Sequence, residues 1–188
     1  MLRIIAGKYR GKKLLSLEGE DVTRPTRSRL REAMFSSLGN IEGASFLDLF
    51  AGSGACGIEA LSRGVNDLTL VDKDSGALKI IKANLASIDE NYELIGKDAL
   101  SFLKECKKSY DICFLDPPYH FKDKEEVFKL IRENNILKKD GLLLYEEDAK
   151  EEPFIPLGYE LIKDKKYGIS RVFYYRRKDE SSINSRKL

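Results

Sequence analysis

Short, continuous apolar segments recur along the chain, separated by segments whose apolar residues fall at helical spacing. The apolar segments lie at Ser45–Phe50, Leu68–Val71, Tyr92–Ile95, Tyr110–Leu115 and Leu142–Tyr145. Strands whose cores are continuous rather than alternating in hydrophobicity are typical of a parallel sheet buried on both faces. Because these strands alternate with helices, we predict an α/β protein with a doubly wound, mostly parallel sheet and helices on both faces.

The predicted helices and the remaining strands complete this pattern. Helices are expected at residues 26–38, Cys56–Arg63, 78–88, Ala99–Lys107 and Glu125–Glu133. A turn near Lys8–Gly11 predicts a β-hairpin within residues 2–17. A second hairpin, with strands Tyr159–Lys163 and Ile169–Tyr175 joined by a turn at Lys165–Gly168, would close the sheet antiparallel and bring it to seven strands. Asp140-Gly141 is expected to form a turn before the fifth strand.

The length of the chain, 188 residues, predicts one main domain with a small appendage. We expect an N-terminal extension at 1–38, the main domain at 39–177 and a disordered tail at 178–188. No apolar run approaches the roughly 18 residues of a membrane helix, and the first residues lack the pattern of a secretory signal. We therefore expect a cytoplasmic protein. Its three cysteines lack zinc-site spacing and are expected to be buried, inert thiols.

Positive charge is concentrated at the two ends of the sequence. Residues 1–31 hold nine basic and three acidic residues, and residues 176–188 hold five basic and two acidic residues, whereas the net charge of the whole chain is +2. The middle of the chain is therefore acidic. A basic N-terminal segment, which we call the basic front, on an otherwise acidic chain favours binding of a polyanion at that end. Nucleic acid is the favoured polyanion, because phosphate contacts dominate its affinity for proteins. An ordinary solvated face is the alternative.

A stiff corner follows the fourth predicted strand, with the sequence Asp116-Pro117-Pro118-Tyr119. The prolines restrict their φ angles and donate no backbone hydrogen bond, and Pro117 keeps Asp116 out of helical geometry. The corner therefore holds a carboxylate, two carbonyl groups and an aromatic ring in a fixed relation. Its oxygen atoms can accept the N–H bonds of an exocyclic amino group while the ring stacks on the base. A turn that merely ends the strand is the alternative.

A glycine-rich loop joins the first of the five strands to its helix. Gly52, Gly54 and Gly57 match the G-x-G-x-x-G pattern of nucleotide-binding loops. Asp72 lies 20 residues after Gly52, at the end of the next strand, where a carboxylate can accept bonds from ribose hydroxyls. Both a nicotinamide dinucleotide and S-adenosylmethionine fit these features. Asp48, four residues before Gly52, would repel a pyrophosphate but can accept from a methionine amino group, which favours S-adenosylmethionine.

Three residues near these motifs have simpler alternative roles. Asp48 can cap a turn. Asp98 can accept the adenine amino group, or it can be the N-cap residue of the following helix. His120, the only histidine, follows the corner directly. We expect it to be a loop residue rather than a general base, because a methylated amine loses its proton easily.

Three segments together resemble the Rossmann-like, S-adenosylmethionine-dependent methyltransferases that act on amino groups. They are Phe46–Gly54, Val71–Asp74 and Leu115–Tyr119. The front of the chain is more specific, since Arg3–Gly7, Arg10–Leu14 and the segment 24–35 are similar to the RsmD family. The similarity extends from residue 2 to near residue 176.

The resemblance implies transfer of a methyl group to the exocyclic N2 of one guanine in bacterial 16S rRNA, with S-adenosylmethionine as cofactor and no metal. The partner would be 16S rRNA or a small-subunit assembly particle, and we expect a monomer. Catalytic roles are implied for Asp116, Pro117, Pro118 and Tyr119. Cofactor-binding roles are implied for Asp48, Phe50, Ala51, Gly52, Ser53, Gly54, Asp72, Lys73, Asp98 and Ala99. RNA-binding roles are implied for Arg3, Lys8, Arg10, Lys12, Lys13, Arg24, Thr26 and Arg27.

Three other functions remain alternatives at this point. An adenine-N6 methyltransferase would share the chemistry and differ in the base. A nicotinamide-dependent oxidoreductase would use the same glycine loop. A noncatalytic RNA-binding factor would keep the basic front without the reaction.

Overall fold

The computed structural model describes residues 2–17, 24–118 and 121–178, and for residues 24–26 it describes the backbone alone. The predicted site residue Tyr119, its neighbour His120 and the predicted tail from residue 179 onward lie outside the described residues. The chain divides between Ala99 and Leu100 into two compact units, which we call unit 1 and unit 2. The predicted boundary after residue 38 stays a prediction.

Unit 1 begins with the predicted N-terminal hairpin, which is confirmed. Its strands are β1 (Leu2–Arg3) and β2 (Lys13–Leu14), which pair antiparallel. The remaining elements follow in chain order as α1 (Arg24–Leu38), β3 (Ser45–Asp48), α2 (Ala55–Ser62), β4 (Asp67–Asp72), α3 (Ser75–Leu85) and β5 (Tyr92–Gly96).

The strands β3, β4 and β5 are parallel, and their register determines which residues share an edge. Asp48 pairs with Leu70 in β4, and Asp72 pairs with Gly96 in β5. The carboxyl ends of the three strands therefore meet at one edge of the sheet. This is the edge where open α/β sheets bind their ligands.

Unit 2 supplies the rest of the sheet. Its elements are β6 (Tyr110–Leu115), α5 (Lys124–Glu133), β7 (Leu137–Asp148), β8 (Tyr159–Tyr167) and β9 (Ser170–Arg177), with α4 (Ala99–Glu105) starting at the boundary between the units. β6 and β7 are parallel, whereas β9 pairs antiparallel with both β7 and β8. Within unit 1 the parallel strands have the order β5-β4-β3, and within unit 2 the order is β6-β7-β9-β8. The predicted mostly parallel sheet and its closing antiparallel hairpin are confirmed.

Two predictions about turns in unit 2 were wrong. Residues Asp140 and Gly141 lie inside β7 rather than in a turn, and the pairing of β6 with β7 shifts register at this point. A Cβ on Gly141 would lie 2.7 Å from Leu137 Cδ1 and 3.0 Å from Asp111 O, so the Leu137 side chain and the β6 backbone pack directly on this glycine. The C-terminal hairpin has a two-residue loop, because Tyr167 already pairs with Ser170. Gly168 adopts a φ of 62°, which such tight hairpin loops require.

The core of unit 2 is built around the ring of Phe128. Four other aromatic rings have their centroids 5.2–5.8 Å from the centroid of Phe128, mostly edge to face. They belong to Tyr145, Phe154, Tyr159 and Tyr175. Aromatic pairs favour this arrangement over stacked faces. No helix among the described residues has the length and apolarity needed to cross a bilayer.

The three cysteines are all free thiols. Cys106 and Cys113 are buried as predicted, and burial raises the pKa of the Cys113 thiol. Cys56, at the start of α2, is half-buried instead.

Candidate functional site

The glycine loop lies between the end of β3 and the start of α2. Gly52 and Gly54 have φ angles of 55° and 76°, which residues with a side chain rarely adopt. Gly54 is also the N-cap residue of α2. The loop can therefore bring a ligand close to the backbone and to the first N–H groups of the helix.

The third glycine of the pattern has a packing role. A Cβ on Gly57 would lie 2.8 Å from Leu70 Cδ2 and 3.0 Å from Leu68 Cδ1. Real Cβ atoms essentially never lie closer than 3.0 Å to another atom, so the ends of these leucine side chains would have to shift for any residue larger than glycine. The strand, loop and helix thus have the arrangement that the sequence pattern requires.

Asp48 ends β3 and is 1% exposed. Its Oδ2 accepts a hydrogen bond of 3.0 Å from the N–H of Gly57 in the first turn of α2. Because a carboxylate is favoured near a helix N-terminus, this bond stabilises the start of the helix. The capping role is therefore present. A bond from Asp48 to a methionine amino group stays a prediction.

Asp72 fastens the glycine loop to the end of β4. Its Oδ2 accepts from the N–H of Gly52 at 2.8 Å, and its Oδ1 accepts from the N–H of Asp74 at 2.9 Å. Ala51 N–H also donates to Val71 O at 2.9 Å. The two bonds orient the carboxylate, and each of its oxygens retains a second lone pair for a ligand.

The next residues along this edge are more exposed. Lys73 is exposed, and Asp74 is the N-cap residue of α3, accepting from Ala77 N–H at 2.7 Å. Asp98 is exposed directly before α4, whereas Ala99, the first residue of that helix, is buried. This position of Asp98 is compatible with an N-cap role in α4 and with a bond to the adenine amino group, and both roles stay predictions.

The N-terminal segment 2–17, which we call the arm, is held on α2 by a buried acid. Glu59 is completely buried and accepts from the N–H groups of Ile5 at 2.8 Å and Ala6 at 3.1 Å. Arg63 donates to the same carboxylate at 2.8 Å, and Arg31 Nε lies 3.6 Å from it. The charge of Glu59 is thus paired and hydrogen-bonded, as a buried charge must be.

The last turn of α2 provides a second contact to the arm. Ser62 Oγ donates to Ala6 O and accepts from Tyr9 N–H, at 2.5 and 2.9 Å. Lys8 N–H donates to Ser62 O at 2.7 Å. A Cβ on Gly7 would lie only 1.7 Å from that carbonyl oxygen, so the arm touches the helix backbone directly.

The cations of the arm fall into two groups. Lys8 Nζ donates to Glu90 Oε1 at 2.6 Å, and Lys12 Nζ donates to Ser87 Oγ. The hydrogen bond with Glu90 raises the pKa of Lys8 and lowers that of Glu90. Arg10 and Lys13 are exposed, and no ion pair or side-chain hydrogen bond joins either to another described residue.

The other predicted RNA-binding residues have different surroundings. Arg3 is exposed and donates to Gly11 O at 3.2 Å. Arg27 is exposed on α1. Arg24 and Thr26 lie in the same helix, at positions where the structure describes the backbone alone.

The predicted corner in unit 2 follows β6 directly. Asp116 and Pro117 are half-buried and Pro118 is exposed, while Phe121 N–H donates to Pro118 O at 3.2 Å. Leu115, the residue before the corner, pairs with Tyr145. Burial raises the pKa of Tyr145, and the charges of Glu147 and Asp116 raise it further.

Sequence reasoning missed the residues that anchor the arm. Glu59, Ser62 and Asn84 are polar residues on otherwise apolar helix faces, and each is buried. An acid in the apolar segment Ala55–Ser62 was the available signal, because an unpaired charge is almost never buried. Within the described ranges, no three His, Cys, Asp or Glu side chains form a group that could hold a metal ion.

Comparison with solved structures shows the class of protein. The structure of yhhF from Escherichia coli has a TM-score of 0.84 and 33% sequence identity, covering 95% of this chain and 99% of that one. A second chain, solved in complex with SAH, has a TM-score of 0.60 at 19% identity and covers 89% of this chain and 52% of that one. Both are described as methyltransferases. The fold is therefore that of the Rossmann-like methyltransferases.

The particular family follows from sequence comparison. The family model described as Conserved hypothetical protein 95 matches residues 2–176. Ribosomal RNA small subunit methyltransferase D of Haemophilus influenzae is 41% identical over 175 residues, covering 89% of this chain and 90% of that protein. The chain belongs to this family, the RsmD family, and the predicted resemblance is confirmed.

Proposed function

We propose that the protein transfers the methyl group of S-adenosylmethionine to the exocyclic N2 of a guanine in small-subunit rRNA. The family match carries this proposal, because it spans residues 2–176 and so includes the arm, the glycine loop and the Asp116 corner. The similar protein from Haemophilus influenzae is named as a small-subunit rRNA methyltransferase. The choice of guanine N2 rests on the resemblance of the front of the chain to the RsmD family.

Unit 1 carries the residues that we propose hold the cofactor. Asp72 supports this, because two backbone amides orient its carboxylate and leave lone pairs for ribose hydroxyls. Gly52 and Gly54 give the loop room for close approach, and Asp98 would accept from the adenine amino group. Asp48, Phe50, Ala51, Ser53, Lys73 and Ala99 would line the same site. When bound, the cofactor supplies an electrophilic methyl group on a sulfonium.

The reaction is an in-line displacement at the methyl carbon. Bound S-adenosylmethionine would supply the methyl group to guanine N2, and the electron pair of the broken C–S bond would stay on sulfur. An aromatic amine is a poor nucleophile because its lone pair is delocalised into the ring. Hydrogen bonds from N2–H to Asp116 and to the Pro117 carbonyl would favour a pyramidal nitrogen, and the carboxylate would stabilise the developing positive charge. N2 then loses one proton.

Binding of the target base has an energetic cost that the corner can offset. Extrusion of a stacked nucleotide costs a few kcal/mol, and stacking on an aromatic ring contributes about 1–3 kcal/mol per base. We propose that Tyr119 supplies this ring, with Pro118 beside it. Correct positioning of the nucleophile and the methyl group can contribute a further ~7–11 kcal/mol to lowering the barrier.

The arm is proposed to contact RNA phosphates. Arg10 and Lys13 are its best candidates, because both are exposed and neither is paired with another described residue. Arg3, Arg24, Thr26 and Arg27 extend the same basic front. Lys8 and Lys12 would first have to leave Glu90 and Ser87.

The decisive experiment offers labelled S-adenosylmethionine to small ribosomal subunits that lack the modification. We expect label in rRNA as N2-methylguanosine at one position, identified by mass spectrometry of the nucleosides. Label in N6-methyladenosine would instead support the adenine alternative. No transfer to free rRNA or to the subunit would support a noncatalytic RNA-binding role.

The matched variant is Asp116→Asn, which keeps the size of the side chain and removes its charge. We expect transfer to fall about 100-fold or more, as for other groups that stabilise charge in a transition state. Binding of S-adenosylhomocysteine, measured by calorimetry, should be unchanged. Full activity in the variant would contradict the role of the carboxylate.

A further inference from the structure

The side chain of Asn84 joins the arm to the glycine loop. Asn84 lies in α3 and is 4% exposed. Its Oδ1 accepts from Leu15 N–H at 2.7 Å, and its Nδ2 donates to Leu15 O at 3.0 Å and to Ser53 O at 2.9 Å. Leu15 directly follows β2, and Ser53 lies between Gly52 and Gly54. One buried amide group therefore holds both segments.

A carboxamide matches these three backbone groups in a way that other side chains do not. One N–H needs an acceptor and two carbonyl groups need donors, which is the hydrogen-bonding capacity of an amide. Aspartate has the same shape but no donor for the carbonyl groups. Leucine would leave all three backbone groups without a partner inside the protein, which is costly.

The other anchors of the arm act through α2 rather than through the loop. Glu59 accepts from Ile5 and Ala6, and Ser62 bonds to Ala6 and Tyr9. They determine where the first half of the arm lies. Asn84 holds the second half, and it ties this half to the segment proposed to bind the cofactor.

We infer that Asn84 is a positioning residue that couples cofactor binding to RNA binding. This inference rests on the proposed function. Cofactor bound at the glycine loop restricts the motion of Ser53. Because Asn84 bonds to both Ser53 and Leu15, the motion of Leu15 is restricted as well. The arm is then more ordered before RNA binds. Ordering that is already present lowers the entropic cost of the second binding event. The coupling is reciprocal, so RNA on the arm must tighten cofactor binding by the same factor.

Hydrogen exchange of the full chain, with and without S-adenosylhomocysteine, tests this inference. The readout is the ratio of exchange rates in the two conditions, at the Leu15 amide and at the amides of the glycine loop. In the wild type we expect the ligand to slow exchange at both places, by about tenfold at Leu15. In Asn84→Asp and Asn84→Leu we expect slowing at the loop but not at Leu15.

The control variant is Ser62→Ala, which removes two contacts of the arm on α2 and leaves the Asn84 bridge in place. Its arm should exchange faster overall, yet the ligand should still slow exchange at Leu15. A role of Asn84 in stability alone would change exchange rates without changing the ratio. Cofactor affinity measured with and without RNA gives a second readout, with coupling in the wild type and a ratio near one in the Asn84 variants.

Several results would overturn the inference. One is a wild-type protein in which the ligand slows exchange at the loop but not at the Leu15 amide. This test does not depend on whether a variant folds. Another is an Asn84 variant with the wild-type ratio at Leu15. If the ligand does not slow exchange at the glycine loop, both the proposed cofactor site and this inference are contradicted. Protection without methylation of rRNA would overturn the proposed reaction alone.

Discussion

At the scale of single residues, the site is organised by hydrogen bonds from backbone amides to carboxylates. Asp48 accepts from Gly57 and Asp72 accepts from Gly52, so each acid at a strand end also orders part of the glycine loop. The position of Asp72 was predictable, because its spacing from Gly52 is a local feature of the sequence. The capping bond of Asp48 was considered as one of two roles, and spacing alone does not choose between them.

Gly57 provides a prediction at this scale. The variant Gly57→Ala should lower the free energy of unfolding by about 1–3 kcal/mol, because its Cβ would overlap Leu70 Cδ2 and force this buried side chain out of its packed position. Urea unfolding measures this loss. The control is the double variant with Leu70→Ala, which removes the clashing atom. Its loss should be smaller than the sum of the two single losses, and additive losses would contradict the packing role.

At the scale of elements, the arm is a short hairpin that depends on its contacts with helices. Its two strands have two residues each, which is too little for independent stability. The hairpin itself was predictable from its glycines and alternating residues. Its docking was not, because the contacts of Glu59 join residues 53 and 54 positions apart in the chain.

Glu59→Gln tests the docking of the arm. We expect a loss of about 3 kcal/mol in unfolding free energy, because the variant leaves the buried Arg31 and the half-buried Arg63 without a negative partner. The control is Glu90→Gln, which removes the half-buried partner of the exposed Lys8 and should cost about 1 kcal/mol or less. Thermal and urea unfolding measure both losses. Equal effects would show that the buried carboxylate does not hold the arm.

The hairpin of β8 and β9 provides a prediction about pH. Arg171 donates to Asp164 through Nε at 2.7 Å and through Nη2, and this bonding lowers the pKa of the carboxyl group. The folded-state pKa then lies below the unfolded value of about 3.9. The pair therefore stabilises the protein at neutral pH, and this contribution is lost as the pH falls through the lowered pKa.

Asp164→Asn should accordingly lower the unfolding free energy by about 1 kcal/mol at pH 7. The loss should become smaller at acidic pH, where the wild-type carboxylate also loses its charge. Urea unfolding of both proteins, at pH 7 and at acidic pH, measures this change in the unfolding free energy. Glu160→Gln on the same strand is the control and should show little loss at either pH. An Asp164→Asn loss that is independent of pH would contradict the assignment.

At the scale of the whole molecule, charge separates the chain into a basic front and an acidic remainder. The sequence predicted this distribution, but it treated the cations of the arm as equivalent. In the structure Lys8 and Lys12 already have partners, whereas Arg10 and Lys13 are exposed and unpaired among the described residues. The two pairs should therefore contribute differently to RNA binding.

The double variants Arg10→Ala/Lys13→Ala and Lys8→Ala/Lys12→Ala test this difference. The first should weaken rRNA binding more, and its logarithmic salt dependence should fall by about 0.7–0.9 for each lost phosphate contact. The second serves as a control with the same change in net charge. Filter binding over a range of salt concentrations provides the measurement. Equal losses of rRNA affinity in the two double variants would mean that binding depends only on the total charge of the arm.

Local sequence patterns were sufficient to predict the order of strands and helices along the chain, the glycine loop and the proline corner. These features depend on neighbouring residues, because helical and strand periodicity, φ preferences and missing N–H groups act over a few positions. Tertiary structure alone decided how the arm is held and which of its cations are exposed. Asn84 shows the physical reason: its bonds reach 69 residues back to Leu15 and 31 residues back to Ser53, and no local pattern encodes such a meeting.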